Sequence, residues 1–132
     1  MRSVVICGSR RFKGEVKKFA AELRKLGVDV YAPYHHSGQD EWASFSPEYQ
    51  TFIALGLTHD HFHKIRLADT VFIYNKGGYA GPSTTLEIGF AVALDKPIYA
   101  LQKDSELCRH SLFREIVSSA GQLAKRLNRA EK

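Results

Sequence analysis

Glu87 is the one charged residue in an otherwise apolar run. From Leu86 to Leu94 every other side chain is apolar or absent. A helix that is apolar on nearly all faces is buried on nearly all faces, and an ionised carboxylate is costly to bury. A Glu in that setting suits nucleophilic or acid–base work, with an ionisation set by its surroundings. The spacing Thr84-x-x-Glu87 also fits a capping box, in which the Glu reaches back to the cap residue's N–H. Both readings put the carboxylate in a first helical turn, where the helix dipole favours negative charge.

Three other clusters carry chemical potential. Cys7-Gly8-Ser9, with Arg10-Arg11-Phe12 behind it, reads as a turn between a first strand and a first helix, which can hold a phosphate or sugar on its N–H groups. Cys7 as the nucleophile of a phosphatase loop would need an Arg six residues on, where Lys13 stands, so it reads as a buried structural thiol. His59-Asp-His-Phe-His63 puts His59 and His63 on one helical face and His61 on another, without the acid of a metalloprotease motif. These read as surface or crevice-rim histidines, and neither metal nor cofactor is expected. Asp69 either ends a helix or joins the site from the start of a strand, and in a parallel sheet that start lies a strand's length from Glu87.

The elements that must position these groups alternate. Ser3–Cys7, Val28–Ala32, Thr70–Tyr74 and Pro97–Leu101 are short apolar runs that read as buried strands. Val16, Phe19, Ala20, Leu23 and Leu26 give a helix over about 14–26 that stops at Gly27. Ser46-Pro47 is a cap followed by proline at the first helical position, opening a helix that runs toward Leu67 with a break expected near Gly56. The loop Asn75–Pro82 is glycine-rich and leads into a helix over about 84–95. Residues 111–129 read as a terminal helix with Leu112, Ile116, Leu123 and Leu127 on its buried face. The stretch from Pro33 to Phe45, with Tyr34, His35, His36, Ser37 and Trp42, reads as a crevice lid or a surface loop anchored by Trp42. The expected fold is α/β, a flavodoxin- or Rossmann-like three-layer sandwich on a parallel sheet of four or five strands, order about 2-1-3-4. Residues 1–132 are expected to form a single domain.

Composition narrows the function classes. The 132 residues are 44% hydrophobic and 25% charged, values of a globular chain and not a disordered one. No run reaches membrane-spanning length, no signal-peptide pattern opens the chain, and two unpaired cysteines suit a reducing cytoplasm. The net charge of +5 is concentrated at Arg10, Arg11 and Lys13 and in the tail, with no basic stripe interleaved with aromatics. A phosphorylated small molecule accounts for Arg10 and Arg11 without nucleic acid.

Cys7-Gly8-Ser9, Ala68-Asp69 and the run Ser83-Thr-Thr-Leu-Glu-Ile-Gly-Phe-Ala-Val-Ala-Leu-Asp-Lys-Pro-Ile98 together resemble the nucleoside 2-deoxyribosyltransferase superfamily, which includes nucleoside 5′-monophosphate N-glycosidases. The resemblance spans roughly residues 3–101. It implies that Glu87 attacks C1′ of a nucleoside or nucleotide, with Asp69 assisting. It implies a substrate site drawn from Gly8, Ser9, Arg10, Arg11, Phe12, Asn75, Gly81, Ser83 and Thr84. Two departures favour water over a second base as acceptor: Gly81 stands where transferases carry an Asp, and Val5 or Ile6 where they carry an aromatic. The alternative is a nucleotide-binding module that has lost turnover. A phosphoribohydrolase of the lysine-decarboxylase-like group fits less well, because its Gly-Gly-x-Gly-Thr-x-x-Glu pattern is not matched. The superfamily also implies a homodimer or larger assembly through helix 84–95, whose second apolar face otherwise has no cover.

Overall fold

A computed structural model of the chain describes residues 2–33 and 39–130. Its elements run β1 (Val4–Gly8), α1 (Lys13–Lys25), β2 (Val30–Tyr31), α2 (Gln39–Ser44), α3 (Pro47–Leu67), β3 (Thr70–Tyr74), α4 (Pro82–Ala93), β4 (Ile98–Ala100), α5 (Leu107–His110), β5 (Glu115–Ile116) and α6 (Ala120–Ala130). The five strands form one parallel sheet in the order β2-β1-β3-β4-β5, the expected arrangement with a fifth strand added.

Strand alternation divides the core in two. Val4, Ile6, Phe72 and Tyr99 face one way, onto Val16, Phe19 and Leu23 of α1 and Leu123 and Leu127 of α6. Phe19 stacks on Phe72 at 4.7 Å between ring centroids. Val5, Cys7, Val71, Ile73, Ile98 and Ala100 face the other way, onto Ile65 of α3 and Ile88 and Ala91 of α4. Phe62 of α3 and Phe90 of α4 stack at 4.4 Å, which locks these two helices together on that face. The side to which Cys7 points is therefore the side on which α3 and α4 meet.

Three expectations about elements change. α3 is continuous through Gly56, because one exposed glycine costs only about 1 kcal/mol in a helix held elsewhere by packing. Ser46 caps it as expected, its Oγ accepting from the N–H of Tyr49 at 3.2 Å. The terminal helix expected over 111–129 is instead a turn, β5 and the shorter α6. Ser119 restarts the chain as a helix, its Oγ accepting from the N–H of Gln122 at 3.2 Å, while Gln122 Oε1 accepts from the N–H of Ser118 at 2.9 Å. Leu123 and Leu127 are buried as expected, but Leu112 and Ile116 are exposed. Finally, α4 begins at Pro82 with Gly81 as its cap, not at Thr84.

The loop from β3 to α4 is pinned to the loop after β4. Asn75 Nδ2 donates to the carbonyl of Gln102 at 2.8 Å, and Asn75 Oδ1 accepts from its N–H at 3.0 Å. The carbonyl of Gly78 accepts from the N–H of Ser105 at 3.0 Å. Gly78 has φ +78°, and a Cβ there would lie 2.8 Å from the carbonyl oxygen of Lys103. Gly78→Ala is expected to destabilise the protein by about 2–3 kcal/mol, since both the backbone conformation and the contact oppose a side chain. A lowered denaturant midpoint at unchanged slope is the readout.

Candidate active site

A cavity of about 300 Å³ opens at the carboxyl ends of β1 and β3, where ligands bind in open α/β sheets. Gly8, Ser9 and Arg10 form one wall, and Gly81, Pro82, Ser83, Thr84 and Glu87 another. Pro33, Leu57, Thr58, His61 and Tyr79 complete it. Gly8 sits in tight quarters: a Cβ there would come within 3.1 Å of the carbonyl oxygen of Tyr74 on β3. The cap of α4 carries no side-chain hydrogen bond, so the first turn of this helix offers backbone N–H groups to the cavity.

Glu87 reaches this cavity because of its place on α4. It lies one turn before Ala91, next to Ile88 in sequence, and both of these pack on the sheet. It is not in a capping box, because Thr84 is inside the helix and not at its cap. Its carboxylate instead meets His61, with Oε2 3.5 Å from Nε2, its side chain 14% exposed. The same His61 nitrogen lies 3.3 Å from Cys7 Sγ. Burial raises the Glu87 pKa from 4.5 to about 8, partly offset by a hydrogen bond with Cys7. Burial likewise pushes the Cys7 thiol well up, with the Glu87 charge adding to it.

Of the residues expected at the site, Gly8, Ser9, Arg10, Gly81, Ser83, Thr84 and Glu87 line the cavity. Asp69, Arg11, Phe12 and Asn75 do not. Asp69 sits at the amino end of β3, the far edge of the sheet, accepting from the N–H of Ser3 at 2.9 Å and from its hydroxyl at 3.1 Å. The Ser3 N–H holds its pKa below the usual carboxylate value. Phe12 is in the core, Asn75 is fully buried against Gln102, and the Arg11 guanidinium lies over the Tyr79 ring at 3.7 Å. Tyr34, His35, His36 and Ser37 lie outside the described residues, and the Trp42 ring packs edge-on against Phe45.

Of the histidines read as surface or crevice-rim, His61 is the one that lines the cavity, although its contact with Glu87 was not foreseen. It is 5% exposed, whereas His59 and His63 face solvent. Leu57, His61, Ile65 and Ala68 recur at spacings of four and three, the signal of the buried stripe of α3. Leu57 and His61 are the members of that stripe that line the cavity.

The profile of the family described as Nucleoside 2-deoxyribosyltransferase matches residues 6–122. The chain belongs to the nucleoside 2-deoxyribosyltransferase family. A conserved protein from Enterococcus faecalis V583 shares the fold at a TM-score of 0.63 and 18% identity, over 98% of this chain and 99% of that one. A 2-deoxyribosyltransferase from Bacillus psychrosaccharolyticus does so at 0.61 and 18%, over 92% and 90%. No curated protein matches the sequence. Membership in the nucleoside 2-deoxyribosyltransferase family makes glycosyl transfer the coarse chemistry of the chain. No helix among the described residues is long and apolar enough to cross a membrane.

Proposed function

We propose that the protein cleaves the N-glycosidic bond of a nucleoside or nucleoside 5′-monophosphate, with Glu87 as nucleophile and water as the favoured acceptor. The observation that carries this reading is the Glu87 carboxyl group on the wall of a cavity faced by the Gly8-Ser9 turn. A volume of about 300 Å³ is at the small end of ligand pockets and suits one nucleoside-sized molecule. The ionised carboxylate forms a bond to C1′ as the C1′–N bond breaks, and its electron pair leaves with the base, which takes up a proton. Water then attacks C1′, and the carboxylate leaves as the sugar hydroxyl forms, so the two displacements retain configuration. His61, within 3.5 Å, is positioned to orient the Glu87 carboxyl group. Arg10, Ser9, Ser83, Thr84 and the α4 N-terminus suit a 5′-phosphate. Gly81 supplies no acid to handle an incoming base, which favours hydrolysis over exchange.

One observation favours a second reading, a binding module without turnover. A Glu87 pKa near 8 leaves the free carboxyl mostly protonated at neutral pH, and so a poor nucleophile. Incubation with a panel of nucleosides and their monophosphates, with free base followed by chromatography, separates the two. Release from a panel member supports the enzyme. Tight binding without release supports the module.

Assembly is part of the same reading. Leu86 on α4 is 62% exposed, and Phe52 and Leu55 on α3 are 70% and 56% exposed. A homodimer or larger assembly through α4 would cover such side chains. Light scattering on a sizing column is expected to give at least twice the chain mass, and Leu86→Asp to give the monomer. A monomeric wild type at micromolar concentration sinks this part. The free Cys7 and Cys108 thiols fit a cytoplasmic setting.

A further inference from the structure

Cys7, His61 and Glu87 come from β1, α3 and α4, and their donor atoms all lie within 4.8 Å of one another. Cys7 Sγ is 3.3 Å from His61 Nε2, which is 3.5 Å from Glu87 Oε2. A tetrahedral ion with bonds of roughly 2.0–2.3 Å holds its ligands roughly 3.3–3.8 Å apart; two of the three separations match that span, and the third stays within 4.8 Å, so a small side-chain shift brings the set onto one tetrahedral face. Cys7 and His61 are buried, and Glu87 borders the cavity.

We propose that Cys7, His61 and Glu87 form a binding site for a thiophilic divalent cation of the zinc class, with its fourth position open to the cavity. The donor set decides the class. A thiolate with an imidazole selects zinc-like ions, whereas magnesium and calcium prefer all-oxygen sites. Charge balance supports it too. A thiol and a carboxyl buried side by side oppose each other's ionisation. A dication between them neutralises both, the thiol and carboxyl protons passing to solvent as the bonds form. Three protein ligands and one open position is the arrangement of an exchangeable site, not a closed structural one. Binding stands or falls independently of the glycosidic reading. Where both hold, the ion engages the Glu87 carboxylate and base release is inhibited until a chelator removes it.

The test uses the full chain, stripped with chelator and titrated with Zn²⁺ against a chromophoric chelator, and with Co²⁺ as a spectroscopic probe. The expected result is one equivalent bound, with a thiolate-to-cobalt charge-transfer band. Cys7→Ser is expected to lose the band, and both Cys7→Ser and His61→Gln to weaken binding by more than about tenfold, since loss of even an outer-shell partner costs about 10–100-fold. Cys108→Ser, which removes the exposed thiol, keeps both. Absence of binding, or binding unchanged in Cys7→Ser and so owed to surface histidines, overturns the proposal. X-ray absorption of zinc-loaded Cys108→Ser protein needs no ligand variant: one sulfur neighbour supports the site, and a shell of nitrogen and oxygen alone overturns it.

Discussion

Glu87→Gln is expected to keep the fold and the cavity while reducing release of base by at least about a thousandfold, because an amide cannot form the glycosyl ester and nothing else at the site replaces it. The candidates for a substitute are few. Cys7 lies behind the cavity wall and is not part of its lining, and burial pushes its thiol pKa well up, so in the metal-free protein it is no nucleophile for a bound sugar. Asp69 lies at the opposite end of β3, bound to Ser3. His61 reaches the cavity only beside Glu87. Gln is close to Glu in volume and carries no charge to bury, so the variant is expected to be no less stable than the wild type at neutral pH. Circular dichroism and the thermal midpoint check the fold, and single-turnover assays measure the chemical step. Wild-type release that persists within tenfold in Glu87→Gln removes the nucleophile from the mechanism. Because the free carboxyl titrates near 8, kcat/KM is expected to rise with pH up to about that value.

Strand runs and helix stripes were legible wherever the period was clean. Ser3–Cys7 and Thr70–Tyr74 pair in the centre of the sheet, and Val16, Phe19 and Leu23 pack as their spacing predicts. What was not legible were short elements whose identity is set by their neighbours. β5 is two residues long and exists because it pairs with β4, and Glu115 is then held by Arg126 of α6 at 2.7 Å. Within the site, Glu87 was visible because a carboxylate interrupts an apolar helix. His61 was less so, because only two residues of α3, His61 and Ile65, are buried and the stripe is faint beside exposed Phe52 and Leu55. Asn75 and Phe12 lie close in sequence to cavity residues, yet their side chains serve the loop and the core. Proximity along the chain does not say which way a side chain turns.

The unusual ionisation of Glu87 has a consequence for stability opposite in sign to that of most carboxylates. Its pKa is 4.5 in the unfolded reference and about 8 in the fold. Between those values the folded protein holds a proton that the unfolded chain has lost, so stability falls as pH rises. The contribution is fully present below about 4.5 and is lost as pH passes through about 8. At about 1.4 kcal/mol per pH unit, that window is worth on the order of 5 kcal/mol, or roughly 15–20 °C in thermal midpoint for a chain of this size. The ionisable groups against the carboxyl are Cys7 from β1 and His61 from α3, while Arg10 lines the same cavity. Cys7 adds to the trend only at higher pH, since its thiol is favoured over the thiolate. Asp69, held ionised by Ser3, acts in the other direction and mostly below the window. Thermal midpoints from pH 5 to 9, taken with chelator present, are therefore expected to drop in the wild type and stay nearly level in Glu87→Gln, the two curves crossing near the acid end. Parallel curves would mean that the carboxyl is ionised throughout, carried as an ion pair with a protonated His61, and that burial does not control its charge.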